Sequence, residues 1–299
     1  MSFSDDKALI ADYQNGNYRV RLYSDGTRVM RSDEDVFRAI FPDNMDLKIT
    51  DHCDGNCPMC HESSTVYGAH ARLDAAFLTS LHAGTELAIG GGDAFSHPGL
   101  ENFLRRMKAQ GVICNITVNE RHLPRYADRI LRFWEEGLLY GLGISVRELS
   151  EETVRFASLY PHAVLHAICG VTDAEKLLAV PAENLRLLVL GYKLHGRGKD
   201  YFSPAVLYGI ADFSRRLPLL CRKYAVVSFD NLALTQLRVR ERVSEDTWNA
   251  AFCGGDGTDN LYADLVRGVF ALSSRADETF PLLPTAEEML AFLHEKYGI

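Results

Sequence analysis

Residues 45–62 read MDLKITDHCDGNCPMCHE, and this stretch decides the interpretation of the whole chain. It opens with an alternation of apolar and polar residues that is typical of a strand. Three cysteines follow with the spacing Cys-x3-Cys-x2-Cys: Cys53, Cys57 and Cys60. Gly55 and Pro58 exclude a regular helix between them, so the backbone is free to turn three thiolates round one inorganic centre. Three sulfurs are one ligand short of a closed zinc site or a fully ligated cubane cluster, which leaves a coordination position for chemistry.

Three kinds of inorganic centre compete for this stretch. A structural zinc site could take His52 or His61 as its fourth ligand, although such sites usually draw their ligands from two separated pairs. Residues 57–61 also fit Cys-x-x-Cys-His, the attachment pattern of c-type haem, but haem attachment leaves Cys53 unexplained. The third candidate is an iron–sulfur cluster that is held by the three cysteines and open at one iron.

Composition and charge limit the class of protein. The chain has 299 residues, of which 47 % are hydrophobic and 24 % charged, as is ordinary for a soluble globular protein with a large core. The formal net charge of −8 argues against charge-driven binding to nucleic acid or to an acidic membrane. No apolar run is long enough to span a bilayer, and the acidic N-terminus lacks the features of a signal peptide. We therefore expect a cytoplasmic protein whose seven cysteines are reduced.

From residue 45 onward, strand and helix patterns alternate with short connections. The strand patterns cover residues 45–50, 86–90, 112–118, 142–146, 163–169 and 185–190. The helix patterns between them cover residues 74–82, 98–110, 123–136, 150–159 and 173–180. Such an alternation with apolar strands predicts a parallel sheet covered by helices. In sheets of this kind, ligands bind at the carboxyl ends of the strands. Farther on, Arg238, Arg240 and Arg242 alternate as on one face of a solvated edge strand.

Over residues 45–200, these features resemble the radical S-adenosylmethionine (radical SAM) superfamily. The motif of that family is Cys-x3-Cys-x-aromatic-Cys at the end of the first barrel strand, and here Met59 stands at the aromatic position. The resemblance implies an α/β fold with a partial (β/α)6 TIM-like barrel. It also implies a [4Fe–4S] cluster on Cys53, Cys57 and Cys60, with S-adenosylmethionine (SAM) bound to the open iron.

The same resemblance implies a reaction. An electron donor such as flavodoxin or ferredoxin reduces the cluster, and SAM is cleaved to methionine and a 5′-deoxyadenosyl radical that abstracts hydrogen from a substrate. In such an enzyme the protein orients the target atom and excludes water and oxygen, because the cofactor carries the difficult chemistry. We therefore expect an oxygen-sensitive oxidoreductase or transferase.

Glycines and polar residues at the strand ends are the candidates for binding SAM. Residues 90–94 read Gly-Gly-Gly-Asp-Ala, similar to the Gly-Gly-Glu-Pro motif of the family, with Asp93 as the carboxylate that receives the SAM amino group. Asn119 ends the third strand pattern, and Ser145 stands where family members often place a serine that contacts SAM. Leu190 ends the sixth, which commonly contributes adenine contacts. The SAM candidates are thus Met59, Gly91, Gly92, Asp93, Asn119, Ser145 and Leu190.

Two flanking segments complete the expected organisation. An Asp-Gly pair within residues 17–31 predicts a β-hairpin. The predicted units are residues 1–44 as an N-terminal extension with this hairpin, residues 45–220 as the barrel, and residues 221–299 as a small α+β extension and substrate cap.

Residues 252–274 faintly resemble the SPASM extension of peptide-modifying radical SAM enzymes. The shared outline is Cys-Gly-Gly, a strand with Tyr-x-Asp, a turn and another strand. Cys253 stands alone, and Ser273 or Ser274 falls where a second cysteine would be expected. We therefore expect no auxiliary cluster.

The identity of the substrate is the least determined part. A peptide is the first expectation, because of the C-terminal resemblance, and Lys193, Arg197 and Tyr262 are the candidate substrate contacts. The alternative is a nucleotide or small metabolite, as in viperin-like enzymes, with Lys193, Arg197 and Lys199 meeting phosphates. An alternative of another class is a zinc-binding interaction module without catalysis.

Overall fold

The central sheet of the chain is built on six parallel strands, as the alternating pattern predicts. The computed structural model describes residues 8–251 and 255–299. The six strands are β4 (Asn44–Thr50), β5 (Glu86–Gly91), β6 (Ile113–Asn119), β7 (Gly141–Val146), β8 (Ala163–Ile168) and β9 (Arg186–Leu190). They lie side by side in chain order. The connections after β5 to β8 contain α1 (Leu100–Ala109), α2 (Leu123–Glu135), α3 (Glu151–Leu159) and α4 (Ala174–Ala179). The fold is a partial TIM-like barrel, so the predicted fold class is confirmed.

Four later strands widen this sheet on both sides. They are β10 (Val226–Phe229), β11 (Asn260–Asp264), β12 (Val269–Ala271) and β13 (Phe280–Pro281). The strand order is β10-β9-β8-β7-β6-β5-β4-β11-β12-β13, with β10 parallel to β9 and β11 parallel to β4. The remaining helices are α5 (Arg197–Tyr201), α6 (Pro204–Lys223), α7 (Asn231–Gln236), α8 (Glu245–Ala251) and α9 (Ala286–Tyr297). In the described ranges, no helix is long and apolar enough to cross a membrane.

The two faces of the barrel strands differ in what they contact. In β6 the buried residues are Cys114, Ile116 and Val118, which belong to the core shared with the helices. The polar residues between them face the inside of the barrel, because successive side chains of a strand point to opposite faces. On α1 the matching apolar residues recur at i, i+3, i+4 and i+7: Leu100, Phe103, Leu104 and Met107. The inner face is therefore left for ligands.

The N-terminal segment forms a separate antiparallel sheet of β1 (Leu9–Asn15), β2 (Tyr18–Tyr23) and β3 (Arg28–Ser32). The predicted hairpin is confirmed as β2–β3, and one further strand precedes it. The carboxylate of Asp43, just before β4, accepts hydrogen bonds from three side chains of this sheet: Tyr13, Asn15 and Tyr18. Arg28 pairs with Glu86 at 2.7 Å. Both attachments lie at the amino ends of the barrel strands, away from the cysteines.

Two local predictions were wrong. Within residues 74–82 the helical part is a single 3₁₀ turn at Ala76–Thr79. Val239–Arg242 is also a 3₁₀ turn instead of an edge strand, and Arg238 before it has the left-handed φ of 50°. In both places a short sequence pattern fits more than one local structure, and packing against the rest of the chain decides between them.

Candidate functional site

The three cysteines lie in an irregular loop that begins where β4 ends. The loop is tied back to itself, since Cys53 N donates to Thr65 O at 2.8 Å and Cys60 N donates to Cys57 O at 3.2 Å. Asn56 has the left-handed φ of 45°, which turns the chain between the first two cysteines. All three cysteines are free thiols and half-buried. The loop therefore holds three accessible sulfurs at the carboxyl end of the first barrel strand.

Two opposing influences act on the Cys57 thiol, namely burial and nearby guanidinium groups. Burial raises the pKa of the Cys53 and Cys57 thiols. The guanidinium groups of Arg121, Arg197 and Arg147 oppose this rise at Cys57, although its pKa stays above the usual value. Metals are bound by the thiolate form of cysteine. The three guanidinium groups near Cys57 would therefore favour a negatively charged group at this position.

The spacing of the sulfurs bears on which metal they suit. A tetrahedral zinc ion with Zn–S bonds of about 2.3 Å holds its sulfurs less than about 4 Å apart. Among the residues that the structure describes, the set of three ligand atoms within 4.8 Å of one another comes from Asp54, Asp93 and His122, not from the cysteines. The three cysteine sulfurs are therefore not gathered within 4.8 Å of one another in this structure.

The Gly-Gly-Asp turn after β5 packs directly on the cysteine loop. Gly92 N donates to Thr50 O and Asp93 N donates to His52 O, both at 2.7 Å. A Cβ atom on Gly92 would lie 2.2 Å from the His52 carbonyl oxygen, and Gly91 has the positive φ of 109°. Glycine is needed here because the two backbones touch.

Asp93 is held by residues of the α2 region. It is buried, and its Oδ2 atom accepts a hydrogen bond of 2.7 Å from the Tyr126 hydroxyl. The His122 ring lies between two carboxylates, with Nδ1 3.8 Å from Asp93 and Nε2 2.7 Å from Asp54. These carboxylates face opposite ring nitrogens, so the trio does not converge on one metal ion. In the described part of the chain, the Oδ1 atom of Asp93 has no hydrogen-bond partner, which leaves it available to an ammonium group.

The polar strand ends from β6 to β8 form one row on the inner face. Asn119, Ser145 and His166 are paired in register. Asn119 Nδ2 points at the Cys57 sulfur, 3.9 Å away. Burial lowers the pKa of His166 to about 4, so its ring is neutral at pH 7. This row therefore begins at the cysteine loop. The other SAM candidates, Met59 and Leu190, are half-buried.

The segment after β9 that carries Lys193 and Arg197 mainly holds the cysteine loop in place. The Arg197 guanidinium donates to Cys57 O at 3.1 Å and to Ser64 O at 3.0 Å. The Lys193 ammonium donates to Ser274 Oγ at 2.8 Å. The sequence predicts both residues as substrate contacts. In the structure their charged groups donate hydrogen bonds to other residues of the protein. Lys199 is exposed on α5.

A groove of about 350 Å³ separates the cysteine loop from the C-terminal strands. Tyr262 of β11 lines it. At its base the buried Lys48 ammonium lies 2.6 Å from Asp51, 2.7 Å from Glu62 and 3.4 Å from Asp264. Burial alone would lower the pKa of Lys48, but the three carboxylates raise it. One buried cation thus joins β4, the cysteine loop and β11.

Several of these residues were missed by sequence reasoning. Lys48 carried a signal, because it is a charge inside an otherwise apolar strand pattern. His122 and Tyr126 carried none, since they look like ordinary helix-start and helix-face residues. Cys253 lies outside the described residues, and Ser274 binds Lys193.

The sequence matches no protein-family model and no curated protein. In fold, the chain is similar to crystal structures of SuiB from Streptococcus suis. The structure of SuiB bound to the precursor peptide SuiA gives a TM-score of 0.57 at 10 % identity, covering 86 % of this chain and 65 % of that one. SuiB bound to S-adenosylmethionine gives 0.54 at 10 % identity, with 79 % and 61 % covered. A third SuiB structure gives 0.56 at 9 % identity, with 98 % and 88 % covered. The chain thus spans less than two thirds of the first two neighbours, and the likeness is one of fold.

Proposed function

We propose that this chain is a radical SAM enzyme that modifies a peptide. The observation that carries the proposal is the pair of backbone bonds between the Gly-Gly-Asp turn and the cysteine loop, Gly92 N to Thr50 O and Asp93 N to His52 O. These bonds bring together two sequence motifs at the carboxyl ends of the neighbouring strands β4 and β5. A cluster on one and the amino group of SAM on the other would be neighbours.

The donor set fits a [4Fe–4S] cluster with one open iron. Cys53, Cys57 and Cys60 would hold it, and the guanidinium groups around Cys57 would balance its negative charge. When bound, the cluster and SAM supply the reductive cleavage of SAM to methionine and a radical that removes hydrogen from the substrate.

The protein's own residues would position SAM and exclude water. Asp93, held by Tyr126, would accept from the SAM ammonium group through its free oxygen. Gly91 and Gly92 allow close backbone approach, and Asn119 and Ser145 present polar groups along the inner rim. Met59 and Leu190 would lie against the nucleoside.

A peptide substrate is supported by the neighbour that was solved with a precursor peptide. The position of β11 supports it too, because the C-terminal strands form one wall of the groove beside the cysteine loop, where residues 221–299 would act as a substrate cap. Tyr262 would contact the substrate in that groove. The nucleotide alternative is less well supported, because the Arg197 guanidinium donates to main-chain carbonyls instead of facing a site for phosphates.

The test begins with anaerobic reconstitution using iron and sulfide. A brown protein should form and, after reduction with SAM, release 5′-deoxyadenosine. Cys57→Ala should lose both the colour and the product, whereas Cys221→Ala, which alters an exposed thiol on α6, should keep both. A colourless protein that holds one zinc ion and makes no 5′-deoxyadenosine would refute the proposal. Thermal stabilisation by short candidate peptides, but not by nucleoside triphosphates, would support the substrate class.

A further inference from the structure

One carboxylate on the inner face of the barrel, that of Asp46, has no partner among the residues that the structure describes. The inward-facing residues of β4 are Asp46, Lys48 and Thr50. Lys48 is paired with three carboxylates and the Thr50 hydroxyl bonds to His70. In the described part of the chain, Asp46 takes part in no hydrogen bond and no ion pair. It is nevertheless exposed, although β5 and β11 flank it on both sides. Its carboxylate can therefore be reached only through the concave interior.

The interior beside Asp46 has room for a ligand. Its register partner on β5 is Ala88, a small residue that is itself exposed to the cavity. A Cβ atom placed on Gly90, the next inward position, would meet no atom within 4 Å. On the other side its partner is Tyr262, whose hydroxyl also has no hydrogen bond within the residues that the structure describes. Because they are in register on neighbouring parallel strands, Asp46 and Tyr262 project from the same face of the sheet.

Burial inside the barrel is the main influence on the Asp46 carboxyl and raises its pKa. Three further carboxylates add to this rise: those of Asp256, Asp230 and Glu62. Each has its own protein partner, in Arg275, the amino end of α7 and Lys48 respectively. Lys193 is the cation that opposes them, but its ammonium is bonded to Ser274 and is not within ion-pair distance of Asp46. A cation brought into contact with Asp46 would favour the ionised carboxylate, and no cation among the described residues already occupies that position.

We propose that the substrate places a primary ammonium or guanidinium group against Asp46, on the face of the sheet from which Tyr262 also projects. This inference rests on the proposed function and names the substrate chemistry of that same site. Asp46 lies four positions before Thr50 along β4, a distance of about 13 Å. The N-terminal sheet covers the amino end of β5, where Arg28 pairs with Glu86. A lysine or arginine side chain entering from the carboxyl end would thus hold its charge deep in the cavity and its carbon atoms nearer the cysteine loop.

Binding of n-butylguanidinium to the full chain, measured by calorimetry and ligand-observed NMR, tests this inference. The uncharged isostere n-butylurea is the matched ligand. We expect saturable binding of the cation, at least tenfold weaker binding of the urea, and at least tenfold loss of cation affinity in Asp46→Asn. Glu152→Gln, on the exposed side of α3, should bind like the native chain.

Two further measurements keep the result decisive. Asp46→Asn should unfold at the same temperature as the native chain or higher, because no partner is lost. If it fails to fold, Ala88→Leu should block the cation by filling the space beside Asp46. Equal affinity for both ligands, unchanged affinity in the variants, or no binding to the native chain would overturn the inference. These assays need neither SAM nor a cluster, so their failure is distinguishable from a failure to form 5′-deoxyadenosine.

Discussion

Replacing Gly90 or Gly92, which lie two positions apart at the end of β5, by alanine should change the free energy of unfolding in opposite directions. In Gly92→Ala the new methyl group would lie 2.2 Å from the His52 carbonyl oxygen, which is backbone and cannot move without shifting the cysteine loop. In Gly90→Ala it would enter the open interior and touch nothing within 4 Å. The pair therefore separates close backbone packing from the general cost of altering a glycine.

The expected magnitudes follow from the contacts. Overpacking costs about 1–3 kcal/mol. The shift also weakens two backbone hydrogen bonds, Gly92 N to Thr50 O and Asp93 N to His52 O, worth about 1 kcal/mol each. Gly92→Ala should thus lower the free energy of unfolding by about 3–5 kcal/mol. Gly90→Ala should raise it by about 0.5–1 kcal/mol, because glycine is unfavourable within a strand.

Urea unfolding followed by far-ultraviolet circular dichroism measures both effects on the purified chain. The slope of the free energy with urea should stay the same in both variants, so that the midpoints report stability. If Gly92→Ala unfolds at the same urea concentration as the native chain, the turn is not packed on the cysteine loop as described. Equal losses in both variants would point to a general intolerance of side chains at this strand end.

Three further substitutions test the residues around the site. Lys48→Met should lower the free energy of unfolding by about 3–5 kcal/mol in chemical denaturation, because it leaves buried carboxylates without their cation; a loss below about 1 kcal/mol would contradict this. Arg197→Lys should speed amide hydrogen exchange in residues 53–64, since an ammonium cannot reach both carbonyls that the guanidinium binds; unchanged exchange would show that the cysteine loop holds itself. Burial lowers the pKa of His166 from about 6.5 in the unfolded chain to about 4, so the neutral ring contributes stability above pH 6.5 that is lost as the pH falls towards 4. Relative to His166→Gln, the native chain should therefore lose up to about 3 kcal/mol between pH 7 and pH 4, and parallel stability curves would refute the assignment.

The strands of the barrel could be predicted because their signal is local. Alternating polarity and short connections mark β4 to β9, and the Asp-Gly pair marks the hairpin of β2 and β3. The three cysteines can be recognised as a ligand set from their spacing alone. The turn at Gly91–Gly92 could be assigned to the same site because parallel strands bring their carboxyl ends to one edge.

The partners of each candidate side chain could not be predicted, because they come from distant parts of the chain. Arg197 looked like a ligand for an anionic substrate, and the fold turns it onto the Cys57 carbonyl. Asp93 could be proposed as a carboxylate, but not its bond to Tyr126. Lys48 is recognisable in the sequence as a charge within an apolar strand pattern. The sequence does not show which carboxylates pair with its ammonium group.

The sequence by itself determined the class of fold, the three-cysteine loop and the edge of the sheet where ligands gather, because these depend on spacing and periodicity along a few residues. The tertiary structure alone decided that β11 lies beside β4 and that the N-terminal sheet covers the opposite end of the barrel. It also decided that Asp46 lies inside the barrel without a hydrogen bond or ion pair to any described residue. Those features depend on which distant surfaces bury each other. That choice is made by the packing of the whole chain, and no local pattern records it.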